Sequence, residues 1–207
     1  MKTKKPMIKE TVGSLYLAFN TPTQSGDFSS TYEETVKSDV VKSINTTENA
    51  ENTTVRASGT DYETVNQTSS IDMAVEVVAF DPAILARARG EDTTDTGGLV
   101  LAGAPARRPF FAFGKVVKKV GGGVQYAWYP KCQIVENTDD IATSEETFSE
   151  QNDTVTIRAY TFNENNQKKC YVDSEMETYP EGLTEEKFFT SPILNAEDLA
   201  NAISQSV

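Results

Sequence analysis

The sequence predicts a mainly β chain: two packed antiparallel β-sheets, sandwich- or barrel-like, with a flanking α-helix. Three observations lead there. Short runs rich in valine, isoleucine, threonine and aromatic residues recur along the 207 residues. Polar and glycine-containing segments separate these runs, as turns separate strands. One stretch in the middle carries helix start and stop signals at both ends. The length suits a single domain over 1–207, large enough to bury roughly 70% of its unfolded surface. An N-terminal arm is expected over about 1–11 and a C-terminal arm over about 176–207.

In chain order, Val12–Phe19 reads as the first strand. The polar run from Asn20 to Thr31, with Pro22 and Gly26, is too long for a hairpin turn. Loops of that length inside compact domains are usually functional or disordered. Gln24, Ser25, Gly26, Asp27 and Phe28 form its candidate contact segment, with Phe28 either packed back on its own domain or anchored on a partner. Two short strands follow, at Val40–Glu48 and Thr53–Ala57, separated by Asn49-Ala50-Glu51-Asn52 and the second continuing toward Tyr62. Ile71–Phe80 alternates with period two, so Ile71, Met73, Val75, Val77 and Ala79 share one apolar face. Asp81 caps the next segment, Pro82 suits the first helical position and Gly90 the left-handed residue after the end. The stripe of Ile84, Leu85 and Ala88 must pack on a sheet, because so short a helix is marginal alone.

The second half opens with the irregular stretch Glu91–Arg108. Phe110–Val117 is a strand containing Phe111 and Phe113, Gly121-Gly122-Gly123 is a turn, and Val124–Val135 returns. Period two places Tyr126, Trp128, Cys132 and Ile134 on one core face, while Pro130 signals an edge or a bulge. Glu136–Asp153 is acidic and holds no lysine or arginine; Asp139, Asp140, Glu145 and Glu146 are its paired carboxylates. Thr154–Phe162 is a strand with Val155, Ile157 and Ala159 inward, and Lys169–Val172 pairs back on it after a polar turn. The last element, Asn195–Ile203, is a helix capped by Asn195 and Asp198, with Leu199, Ala202 and Ile203 on one face. The candidate core is Val75, Val77, Phe111, Phe113, Tyr126, Trp128, Cys132 and Ile157.

Composition excludes several kinds of chemistry. The chain has no histidine, which removes Ser-His-Asp and Cys-His nucleophile systems and every histidine acid–base mechanism. Two cysteines, Cys132 and Cys170, form no C-x-x-C pair and read as small hydrophobes. The carboxylate pairs are neighbours in sequence and read as a solvated acidic loop, not as an acid–base couple. No calcium-loop pattern occurs, and the glycine run lies in a hairpin and so is no phosphate cradle. No catalytic, cofactor or metal site is expected. Nineteen basic against 31 acidic residues give a net charge of -12, a poor balance for gripping a nucleic-acid backbone. No secretory signal or membrane span is read, which predicts synthesis in a reducing cytoplasm.

Certain features, taken in order, resemble the major tail proteins of long non-contractile-tailed bacteriophages, the subunits of the tail tube. They are the first strand with its long polar loop and the run Arg56-Ala57-Ser58-Gly59-Thr60-Asp61-Tyr62 leading through Ile71–Phe80 into the Asp81–Gly90 helix. Then come Pro109–Gly114, the glycine turn, Tyr126–Cys132, and the acidic connector leading to Asp153–Tyr160. The resemblance covers about 10–175 and fades from Met176. It implies hexameric rings that stack into a tube, with β-sheets joined between subunits around a lumen through which DNA passes without specific binding. It also implies other tail proteins as partners (tape measure, distal tail and terminator), no membrane, and a place in the virion after synthesis in the bacterial host. By analogy Asn20–Thr31 is the ring-to-ring loop, and Asp139, Asp140, Glu145 and Glu146 are candidates for an acidic lumen or interface. The alternatives are a ring-forming tube protein of a related injection or secretion machine, and a non-assembling carbohydrate-binding sandwich that uses Trp128 or Tyr129 as an exposed platform.

Overall fold

The computed structural model describes residues 5–91, 98–103, 107–138, 141–143 and 150–204. Among them are eight strands and three helices: β1 (Lys9–Phe19), β2 (Val36–Ser38), β3 (Val41–Ala57), β4 (Thr60–Val77), α1 (Pro82–Arg89), β5 (Phe111–Lys119), β6 (Val124–Thr138), β7 (Asp153–Ala159), β8 (Cys170–Asp173), α2 (Glu185–Phe189) and α3 (Ala196–Ser204). All strand pairs are antiparallel. They follow the path β2-β1-β5-β6-β7-β4-β3, with β8 on β6. The molecule is mainly β with flanking helices.

Strand β6 makes two layers from one path. Its first half, Gln125–Trp128, lies between β5 and β8. Its second half, Cys132–Thr138, pairs with β7. The change falls at Pro130, where Phe111 and Phe113 of β5 face Cys132 and Tyr129, so β6 has one extra residue. Proline has no N–H to give to the ladder, and a bulge is where its absence costs least. The bulge also flips the face. Tyr126 and Trp128 point to one core, whereas Cys132 and Ile134 join Ala127 and Tyr129 in the other. The single face expected for Tyr126, Trp128, Cys132 and Ile134 is therefore corrected: strict alternation does not survive an inserted residue.

The main core lies between the layers. Leu15, Leu17 and Phe19 of β1 and Phe111 and Phe113 of β5 cluster with Met73, Val75 and Val77 of β4 and Val155 and Ile157 of β7. Helix α1 closes one end with Ile84, Leu85 and Ala88. Its punctuation is the one read from the sequence. Asp81 Oδ1 accepts from the Ala83 and Ile84 amides, and Gly90 sits at φ 75°. Arg87 in its last turn forks onto Glu33 at 2.9 and 2.5 Å and lies 4.1 Å over the Phe19 ring.

A second core covers the opposite face of the first layer. Phe188 and Phe189 of α2, with Leu183, Ile193 and Ala202, pack on Tyr16, Ala18, Ala112, Val116, Tyr126 and Trp128. Tyr16 and Phe189 stack at 3.9 Å between centroids. Gly114 is required here: a Cβ would lie 2.7 Å from the Phe189 ring. The segment expected to be a C-terminal arm is therefore an integral layer of the single chain. Phe188-Phe189 needs a large apolar surface, and the outer face of β5 and β6 supplies it.

Two further expectations change. The segment Asn49-Ala50-Glu51-Asn52 does not separate two strands, because β3 runs through it and a one-residue shift beside Asn49/Ala50 absorbs the irregularity. β3 then turns at Ser58 and Gly59, both at positive φ (53° and 81°), and returns as β4. Such a two-residue turn matches the twist of a hairpin. β8, expected to pair with β7, pairs with β6 instead.

Candidate functional site

The β3–β4 hairpin is longer than the body that supports it. β7 pairs with β4 only over Ile71–Val77. Beyond that, from Ala50 and Thr68 to the Ser58-Gly59 turn, the two strands pair only with each other among the described residues. About eight residues per strand at about 3.4 Å each give a ribbon projecting about 25 Å. An isolated two-stranded ribbon is marginally stable at best. Among the described residues no third strand joins either edge, which is the geometry that adds strands from another chain. Near its tip, Tyr62 is 75% and Val55 47% exposed, and Arg56 Nε meets Asp61 Oδ1 at 2.8 Å. The sequence signal for this element is the dipeptide Ser58-Gly59 between two runs of threonine and valine.

The loop after β1 is ordered by its own polar groups. Asn20 is buried; its Nδ2 donates to the Ser29 and Thr31 carbonyls at 2.8 and 3.0 Å, and its Oδ1 accepts from the Ser29 amide. A tight turn at the tip joins the Thr23 and Gly26 backbones at 2.8 Å, with Gly26 at φ 79°. Gln24, Ser25 and Asp27 are exposed there. Phe28 faces back into the molecule, edge-on to Tyr32 and Phe110, with Lys131 Nζ 5.0 Å over its ring. Of the two placements open to Phe28, the single chain adopts the one on its own domain.

Asp139, Asp140, Glu145 and Glu146 lie outside the described residues. The described ends of the acidic connector are engaged within the chain: Glu150 pairs with Lys42 Nζ at 2.6 Å, and Asp153 accepts from the Phe80 amide at 3.0 Å.

Val75, Val77, Phe111, Phe113, Tyr126, Trp128, Cys132 and Ile157 are all buried. Trp128 is fully buried and Tyr129 nearly so, which corrects the carbohydrate-binding alternative: neither ring is available as a stacking platform. Cys132 and Cys170 are free. Burial pushes the Cys132 thiol well up, and burial with the nearby Asp198 carboxylate pushes Cys170 to about 11. Neither forms a thiolate readily. Among the described residues no group of three or more acidic or cysteine side chains is placed to hold a metal ion. No helix among them is long and apolar enough to cross a membrane.

No protein-family model matches the chain, and no curated protein sequence matches it. Among solved structures, it is similar to a chain of the six-fold symmetrised cryo-EM structure of the anti-feeding prophage baseplate. That likeness has a TM-score of 0.44 at 9% identity and covers 82% of this chain and 97% of that one.

Proposed function

We propose that the chain is a non-enzymatic structural subunit that assembles with copies of itself into rings, and that the rings stack into the tail tube of a phage-type virion. The observation that carries this reading is the ribbon formed by the outer halves of β3 and β4, which no third strand joins among the described residues. The body has cores on both sides of its first layer and does not need the ribbon for its own burial. The ribbon's edges are best completed by strands of a neighbouring copy, which closes a sheet around a lumen. The resemblance of about residues 10–175 to tail tube proteins supports the same reading.

In this proposal six copies form each ring, and the Gln24–Asp27 tip, exposed on its loop, meets the adjoining ring. Tape-measure, distal-tail and terminator proteins are the further partners. The net charge of -12 has a role there. Duplex DNA carries about one charge per 1.7 Å, so a basic lumen would hold it, and an acidic one keeps it moving.

Negative-stain imaging of the purified full chain at high concentration tests the reading. Long tubes with a lumen wide enough for duplex DNA are expected. Isolated rings point to a subunit of a related injection machine. Monomers that persist as concentration rises overturn the proposal.

A further inference from the structure

Two lysines of β5 point inward, and only one of them is matched. Lys119 is buried against Asp173 and Glu175, with its Nζ 2.7 and 2.5 Å from their carboxylates. Burial opposes its charge, but those two carboxylates hold its pKa above the usual lysine value. Lys115 stands on the same face, following Phe111 and Phe113 in the alternation. Its ammonium reaches across to the second layer, donates to Thr46 Oγ1 of β3 at 2.8 Å, and lies 5.4 Å from the Tyr129 ring centroid. Among the described residues it belongs to no ion pair.

What surrounds Lys115 is more positive charge. A cavity of about 410 Å³ is lined by Lys9 of β1, Glu48 of β3, Lys115, and Lys169 just before β8. A second cavity of about 450 Å³ adjoins it and shares Lys9, Thr46 and Lys115, with Glu10 on its far wall. In the smaller cavity three ammonium groups face one carboxylate, a balance of +2, and Glu48 is already engaged by Lys169. Burial first, then repulsion from Lys9 and Lys169, lowers the Lys115 pKa to about 8, with Glu48 opposing. Tyr129, its hydroxyl kept protonated by burial, and Tyr171 complete the titratable lining. In a chain of net charge -12 this is a local inversion of sign. It sits where a desolvated ammonium, bonded to the Thr46 hydroxyl, has further donors and, among the described residues, no carboxylate within ion-pair distance.

We propose that this cleft between β3 and the first layer binds a dianionic phosphate group, held by Lys115 and Lys9 with the Thr46 hydroxyl as a neutral donor. A dianion matches the +2 balance, which chloride or a single carboxylate does not. The cavity admits free phosphate or a small phosphomonoester. The proposal is independent of assembly.

The test uses the full chain at pH 7 with ionic strength held constant by sodium chloride. Inorganic phosphate is titrated in one arm and phenyl phosphate in the other; binding to every variant is followed by isothermal titration calorimetry, and the wild-type Lys115 side-chain resonance is followed by NMR at stepped pH with and without phosphate. Binding should raise the Lys115 pKa by about one unit or more, as an opposite charge within a few ångströms does. Lys115→Gln should weaken binding about tenfold, the scale of a charge-assisted hydrogen bond, whereas Lys118→Gln, exposed outside the cleft, should leave it unchanged. Tighter binding of phenyl phosphate identifies an ester as the ligand, and equal or weaker binding identifies the free ion. The proposal is overturned if chloride alone moves the resonance as far, or if Lys115→Gln leaves the phosphate response intact. If Lys115→Gln does not fold, Lys9→Gln and the wild-type titration decide the matter.

Discussion

The indole Nε1 of Trp128 donates to the backbone carbonyl of Phe188 at 3.0 Å, in a fully buried contact that spans 60 residues of sequence. That bond ties the centre of β6 to the C-terminal helices. Phe188 is itself buried and tilted against Tyr126, and Phe189 packs against Trp128 with ring centroids 5.2 Å apart. Phe188→Ala should cost about 3–5 kcal/mol, the usual range for emptying a buried aromatic site. Chemical denaturation checks this. Trp128 is the chain's single tryptophan, so its fluorescence reports this core alone. Truncation before Thr184 should shift the native emission to the red.

The ends of α1 can be tested separately. Asp81→Ala removes the acceptor for two first-turn amides and should cost about 1 kcal/mol. Gly90→Ala places a Cβ at φ 75° and 3.1 Å from the Arg107 carbonyl oxygen, and should cost about 1 kcal/mol or more. Denaturation midpoints of the two variants and their double mutant should show near-additive losses, because the sites lie at opposite ends of the helix.

Asp72 and Arg158 give a pH signature. Arg158 Nε and Nη2 fork onto the Asp72 carboxylate at 2.6 and 2.9 Å, and Asn49 adds a third bond at 2.9 Å. The hydrogen bond from Arg158, working against partial burial, holds the Asp72 carboxyl below its ordinary 3.8. A carboxyl whose folded pKa is lowered contributes stability above its unfolded pKa and loses it as pH falls through the folded value. Asp72→Asn should therefore destabilise by up to about 1 kcal/mol at pH 7, since both side chains are partly exposed. The difference from wild type should close below pH 3.8, as seen in urea melts at stepped pH.

The ribbon separates folding from assembly. Replacing residues 51–67 by a two-residue turn leaves both cores untouched. The shortened chain should melt within a few degrees of wild type, a shift of about 1 kcal/mol or less for a chain this size. It should sediment as a monomer at concentrations where the full chain assembles. Assembly equal to wild type would remove the ribbon from the interface.

How well each part could be read from sequence depended on how local its cause was. Asp81, Pro82 and Gly90 act within a few residues of themselves, and the helix they bound is where they place it. The turn at Gly121-Gly122-Gly123 is likewise self-contained, with Gly121 and Gly122 at φ 89° and 88°. The face change at Pro130 depends on β5, since a bulge exists only relative to its partner, and alternation within β6 cannot reveal it. The break expected at Asn49-Ala50-Glu51-Asn52 is absent for the same reason: β4 supplies the register that carries β3 through it. The role of Phe188-Phe189 is set by the outer face of β5 and β6, more than 50 residues away. At the candidate site, Gln24, Ser25 and Asp27 are exposed at the loop tip, while the order of the loop follows from the buried Asn20 side chain, and the inward turn of Phe28 from Phe110 and Lys131, which no local pattern links to it.

Strand β6 is bonded along both edges and covered on both sides from Tyr126 to Tyr129. A force entering through the ribbon passes along β4 to β7 and then into β6. There it acts in shear, so many backbone bonds must give way together. β8, four residues long at an edge, can instead be peeled open one bond at a time. The stiff axis of the molecule therefore runs along β6, and the short edge strands β2 and β8 can be lost while the main core stays intact.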